Sequence, residues 1–317
     1  MEKPLALSRD EAWRFQYRLR PYLDNATVEE LEFRLDDIIR NIYTLTPEGK
    51  VGALHPDQGG DMWAQKMTDL ALECYRRNGD IMDLGNVNEF PFKKEILPIV
   101  RANGSLACHT KRSSVFCKYG KEEWMRNLLE TGALRISPAS YYRGGEHNLA
   151  IQDDELHLRT YVTPYDYDLG VIGSLKDQLP ERCWAVINNK KPTDHYIYCV
   201  TVKFDFRYFL DFTADACVIV KNQDEFVRRL MVAVGRELPG WKLSFEGVRY
   251  MDPYFMLHYL GSAREKIYLF KDFRFMYQLE HRLMAVPPFG FRGSLGHINI
   301  SLGSLKDIAD LVKINHH

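Results

Sequence analysis

The chain has 317 residues, 45% of them hydrophobic and 27% charged, with a formal net charge of −1. These are the proportions of a soluble globular protein with room for two domains, or for one large domain with an extension. No apolar run approaches the roughly 20 residues that span a bilayer. Met1-Glu2-Lys3-Pro4 opens no secretory apolar stretch, so no membrane partner is expected and the expected location is cytoplasmic. Cys74, Cys108, Cys117, Cys183, Cys199 and Cys217 are scattered without CxxC or CxxH spacing, which points to reduced thiols and away from a metal site.

Residues 1–100 hold 13 Lys/Arg against 18 Asp/Glu, and residues 101–317 hold 29 against 25. An acidic extension before a basic working domain fits that change of sign. Residues 8–44 predict two helices, because Ser8-Arg9-Asp10-Glu11 and Thr27-Val28-Glu29-Glu30 both have the capping-box form. Leu31, Leu35, Ile38, Ile39 and Ile42 then recur at helical spacing. A loop to Gly60 follows, in which His55 reads as a surface residue. A third helix is expected over Asp61–Arg77, stopped by Asn78-Gly79, and a fourth over Phe92–Ala102. The expected organisation is a helical domain over 1–104 and an α+β domain over 105–317.

The second domain opens on a strand, Val115-Phe116-Cys117-Lys118-Tyr119. An amphipathic helix follows over Lys121–Glu130, with Trp124, Leu128 and Leu129 on its inner face, and Thr131-Gly132 ends it. Leu134-Arg135-Ile136-Ser137 resumes as a strand, and a loop from Pro138 to Asp154 holds Tyr141-Tyr142-Arg143. Further strands are expected at 156–161, 184–187, 195–206, 216–220, 248–251 and 298–302, with a helix at 223–236 and a last helix at 304–312.

The chemistry-bearing stretch is Phe275 to Val286, read as a strand. Side chains repeat every two residues along a strand, so Gln278, Glu280 and Arg282 share one face while Tyr277, Leu279, Leu283 and Ala285 take the other. A carboxylate between an amide and a guanidinium is expensive beside a core unless it binds something. Gly144-Gly145 lacks the spacing of a phosphate-binding loop, and there is no Gly-x-Ser-x-Gly elbow. Asp153-Asp154 leaves open a second acid, or a metal-dependent nuclease.

Taken in order, 115–119, 124–137, Phe270-Lys271, Gln278-x-Glu280-x-Arg282 and Ile300-Ser301-Leu302-Gly303 resemble the ADP-ribosyltransferase-like fold. They also look like a group of uncharacterised bacterial proteins with a Lys-Tyr opening strand. The resemblance implies a split antiparallel or mixed sheet preceded by the small helical domain. It implies NAD as co-substrate, Glu280 as the catalytic carboxylate and Gln278 orienting the acceptor. It also implies an NAD pocket drawn from Lys118, Tyr119, Ser137, Tyr141, Tyr142, Arg143 and Thr201. Lys118 departs from the His of one subclass, and the Ser-Thr-Ser triplet of the other is missing. The implied function is transfer of ADP-ribose to a protein or nucleic acid by an intracellular bacterial toxin or anti-phage effector, with an antitoxin or regulator as a further partner. NAD hydrolysis on the same scaffold and a non-enzymatic nucleotide- or partner-binding module stand as alternatives.

Overall fold

The computed structural model describes residues 7–46, 50–84, 96–111, 115–143, 150, 153–170, 177–255 and 264–314. Gly144-Gly145 and the first four residues of the expected fourth helix lie outside them.

The N-terminal region is built from α1 (Arg9–Leu19) and α2 (Val28–Ile42), a hairpin of β1 (Tyr43–Leu45) and β2 (Val51–Ala53), then α3 (Gly60–Arg76) and α4 (Ile96–Ala102). Both expected capping boxes close in both directions, Ser8 with Glu11 and Thr27 with Glu30. Each box satisfies amides that the first helical turn cannot pair internally. The hairpin occupies part of the stretch read as loop.

The second region runs β3 (Phe116–Gly120), α5 (Glu122–Thr131), β4 (Ala133–Pro138), β5 (His157–Val162), α6 (Pro164–Asp168), β6 (Ala185–Lys190), β7 (Tyr196–Thr201) and α7 (Arg207–Asp211). It continues through β8 (Ala216–Val220), α8 (Gln223–Glu237), β9 (Lys242–Gly247), β10 (Arg249–Met251), β11 (Phe270–Asp272), β12 (Glu280–Val286), β13 (Ile298–Ser301) and β14 (Ala309–Lys313). The architecture is α+β around a mostly antiparallel sheet. Eight strands run β13-β4-β7-β3-β8-β14, with β12 on the other edge of β7 and β9 beyond it. β5 and β6 pair separately, and among the described strands only β10 and β11 pair in parallel.

One edge of β7 is shared. Tyr196 and Ile197 pair with Pro138 and Ser137 of β4, whereas Thr201 pairs with Cys117 of β3. Between those contacts the two strands part, and Tyr198–Val200 face a notch in the sheet. Alternation assigns the faces. Phe116, Tyr198 and Leu283 pack with Phe226, Leu230 and Val234 of α8, while Cys117, Tyr119 and Ile219 pack with Phe204 and Tyr208 on the other side.

Four expectations need correction. Residues 309–313 form a strand rather than the end of a helix, because they add five antiparallel pairs to the open edge of β8. Residues 273–278 wind as a 3-10 helix, and the strand starts only at Glu280. The expected strand at 195–206 stops at Thr201 and leads into α7. Trp124 is 61% exposed; Met125 and Leu128 fill the inner face of α5.

The helices do not stand apart from the rest. Tyr22, Leu31, Ile38, Trp63 and Leu70 share one core with Tyr254 and Phe273. Arg34 donates to both oxygens of Asp252 at 3.2 and 2.7 Å, and Lys66 also pairs with that carboxylate. Asp252, Tyr254 and Phe273 are thus held against α2 and α3.

Candidate functional site around Glu280

Leu279 turns the chain out of the 3-10 helix into β12 at a φ of 47°. The left-handed region costs a branched residue about 1–2 kcal/mol, so its surroundings must hold it. Its carbonyl accepts from Val202, and the next amide, that of Glu280, donates to the Tyr250 hydroxyl at 2.8 Å.

Glu280 is 7% exposed and both its oxygens are engaged. Lys271 Nζ donates to one at 2.8 Å and Arg282 to the other at 3.0 Å. Arg282 also forks onto Glu155 with two bonds of 2.7 Å, the bidentate geometry that makes guanidinium–carboxylate pairs strong. Lys191 stands 3.8 Å from Glu155 and donates to the Phe270 carbonyl. Asp153 completes the cluster, 3.9 Å from Lys271. Three carboxylates therefore face three cations inside the protein.

Burial raises the Glu280 carboxyl, but Lys271 and Arg282 outweigh it and hold the group below the ordinary carboxylate range. Glu155, pushed up by burial and pulled down by Arg282 and Lys271, also ends low. Asp153 goes the other way: burial and then Glu155 push it up to about 7. Burial lowers Lys191 to about 8. One carboxylate is kept ionised while its neighbour hovers near neutrality, the kind of contrast that marks functional clusters.

Lys118 lies on the opposite sheet face from Glu280, yet its ammonium reaches into the notch. It donates to the Cys199 carbonyl at 2.9 Å and sits 4.5 Å over the Tyr198 ring. Burial lowers its pKa, opposed by Cys199 and Glu280. Thr201 is the cross-strand partner of Glu280, and its hydroxyl donates to the Lys203 carbonyl. Ser137 is buried at the end of β4, bonded to Tyr142 and 3.1 Å from His297 Nδ1. Tyr142 lies within electrostatic reach of Cys199, Glu155 and Arg282. Lys118, Ser137 and Tyr142 thus lie about the notch on one edge of β7, whereas Glu280 stands on β12 along its other edge, opposite Thr201 and within electrostatic reach of Lys118.

The remaining expected residues do not join them in the expected way. Tyr119 takes the face opposite Lys118, which is that of Glu280, but there it donates to the Asp205 carbonyl and packs against Phe204 and Tyr208. Period-two alternation beside Lys118 already demands that face. Tyr141 packs edge-on against His297 at 4.5 Å, further from Glu280 than Tyr142 is along that chain of contacts. Arg143 is largely exposed and 3.4 Å from Asp154. Gln278 is fully buried, but on the 3-10 turn: it accepts from Lys271 at 3.1 Å and donates to the Ala150 carbonyl at 2.7 Å. It therefore helps to hold Lys271 instead of facing an acceptor.

Glu155, Lys191 and Tyr250 were not singled out from the sequence. Their one local signal is the Asp153-Asp154-Glu155 run, and nothing in it distinguishes which acid turns inward. A cleft of about 450 Å³ between α2 and the 153–161 and 270–274 stretches ends on Asp153, Glu155 and Lys271. Glu280 does not line that cleft and is separated from it by Lys271. Among the described residues no helix is long and apolar enough to cross a membrane. No family model, no curated protein and no solved structure matches the chain.

Proposed function

We propose that the protein is an NAD-dependent ADP-ribosyltransferase acting on a protein or nucleic acid, with Glu280 as its catalytic carboxylate. The observation that supports this reading is a buried, ionised Glu280 with Lys118 within electrostatic reach across β7, and with Tyr142, bonded to Ser137, within reach of the Glu155 and Arg282 beside it. Lys118, Ser137 and Glu280 come from the opening, second and late strands of the domain, in the order the resemblance implies.

Breaking the bond between nicotinamide and ribose develops positive charge on the sugar, and a fixed carboxylate stabilises that charge as it forms. Glu280 is ionised for this role, but one oxygen must first be released to meet a ribose hydroxyl. Lys271 has other acceptors within reach: Gln278 at 3.1 Å, Glu155 at 3.7 Å and Asp153 at 3.9 Å. A small shift of its ammonium toward Glu155 and Asp153 frees Glu280 Oε1 without stranding a buried cation. Releasing one charge-assisted hydrogen bond costs about 1.5–3 kcal/mol, which substrate binding can offset. Lys118 provides positive charge at the notch for an anionic part of NAD. The proposed setting, an intracellular toxin or anti-phage effector, follows from the resemblance.

One observation favours a second reading, a nucleotide-binding module without turnover: both oxygens of Glu280 are already paired. Incubating the protein with NAD and a bacterial extract, followed by mass analysis, separates the possibilities. ADP-ribose attached to a macromolecule supports the transferase. Free ADP-ribose alone indicates a hydrolase, and intact NAD that nevertheless binds indicates the module. Loss of growth inhibition in Glu280→Ala tests the proposed setting.

A further inference from the structure

The cleft between α2 and the second region has an uneven charge lining. Asp37, Asp153 and Asp272 all border it. Most cations along its wall are committed elsewhere: Arg34 to Asp252, Arg159 to Glu30 and Lys271 to Glu280. Arg274 stands near all three carboxylates. Asp153 is 8% exposed, and no donor among the described residues lies within hydrogen-bond distance of its carboxylate. Its nearest cations are Arg274 at 3.6 Å and Lys271 at 3.9 Å. Burial, with Asp272 next, also raises Asp37 to about 7, as expected where positive charge is short.

The walls are aromatic. Phe33 is 60% exposed, and Tyr254 and Phe273 line the same space. At about 450 Å³ the cleft has the size of pockets that hold small ligands, roughly 300–1,000 Å³. Asp272 accepts from the Arg274 amide at 2.9 Å, but the Asp37 and Asp153 carboxylates have no hydrogen-bond donor among the described residues, and such groups beside ring faces suit one chemical group better than others. A guanidinium bonds carboxylates in a planar fork and stacks on aromatic rings, whereas an ammonium is a compact, strongly hydrated charge.

We propose that this cleft binds a guanidinium group, with Asp153 and Asp37 as its acceptors and Phe33 as an aromatic wall. The inference does not depend on the NAD reading, since Glu280 does not line the cleft. Isothermal titration of the full chain at pH 8 with agmatine, putrescine and a capped Gly-Arg-Gly peptide tests it. Agmatine or the peptide is expected to bind at least fivefold more tightly than putrescine. The tighter of the two tells a free metabolite from a protein side chain. Asp153→Asn is expected to weaken binding at least tenfold. Phe33→Ala, a change at an exposed position that leaves folding intact, is expected to weaken it about two- to fivefold. Absence of binding by both guanidinium ligands, putrescine binding as tightly as agmatine, or unchanged binding by Phe33→Ala overturns the proposal.

Discussion

Replacing Lys271 by Met keeps the length of the buried side chain and removes its charge. The variant loses the bonds to Glu280 and Gln278 and leaves Asp153, Glu155 and Glu280 facing Lys191, Arg282 and the half-exposed Arg274. Removing one partner of a buried ion pair typically destabilises by about 3–5 kcal/mol. Part of that loss is recoverable, because Asp153 is already raised to about 7 and can neutralise itself by taking up a proton. Without Lys271 the folded-state carboxyl pKa values rise, Asp153 further above its unfolded value and Glu155 and Glu280 up from their low ones. The folded variant then binds protons that the unfolded chain does not, and that stabilisation is present at low pH and lost as pH rises through the folded value. Lys271→Met is therefore expected to trail the wild type by about 3–5 kcal/mol at pH 8, and by clearly less at pH 6. Urea unfolding followed by tryptophan fluorescence measures both values. Trp63 is a suitable reporter, since it is 1% exposed and stacks on Phe273 at 5.5 Å, two residues beyond Lys271. A deficit under about 1 kcal/mol at pH 8, or the same deficit at both pH values, would refute the account of a closely balanced buried cluster.

Asp153→Asn should change the pH dependence in the opposite sense. Wild-type Asp153 loses stability as pH rises from about 4 toward its folded value near 7, at up to about 1.4 kcal/mol per pH unit. The variant should thus gain on the wild type between pH 5 and 7; parallel stability curves would contradict this. Gly132 ends α5 at a φ of 70°, and a Cβ there would lie 2.1 Å from the Gly303 carbonyl oxygen. Gly132→Ala should cost at least about 2 kcal/mol and lower the thermal midpoint by roughly 4 °C or more; an unchanged midpoint would show that the 303 turn is free to move. Amide hydrogen exchange should find residues 309–313 protected together with 216–220, as paired strands are. Fast exchange across 309–313 would argue against that pairing.

Local signals in the sequence were read where local physics decides the outcome. The capping boxes at Ser8 and Thr27, the left-handed stop at Gly132, and the stripe of Phe226, Leu230 and Val234 on α8 are all present. The common face of Glu280 and Arg282 followed from period two. Distant pairings had no local trace. Val312 and Leu311 suit a helix or a strand equally on propensity, and the open edge of β8, some ninety residues earlier, decides between them. Gln278 was expected on the strand, yet the left-handed bend at Leu279 separates it from β12. Lys271, which donates to both, ties its side chain to Glu280 across that bend. Glu155 and Lys191 enter the site through the β5–β6 hairpin region, whose position relative to β12 no spacing rule predicts.

The central claim rests on Glu280, and nicotinamide release from NAD by purified wild type and Glu280→Gln tests it most directly. Gln keeps the size and hydrogen-bonding capacity of the side chain but cannot stabilise developing positive charge, so a drop in rate of about 10²–10³-fold with retained folding is predicted. Equal rates for the two proteins, or no release by the wild type in the presence of bacterial extract, would contradict the assignment.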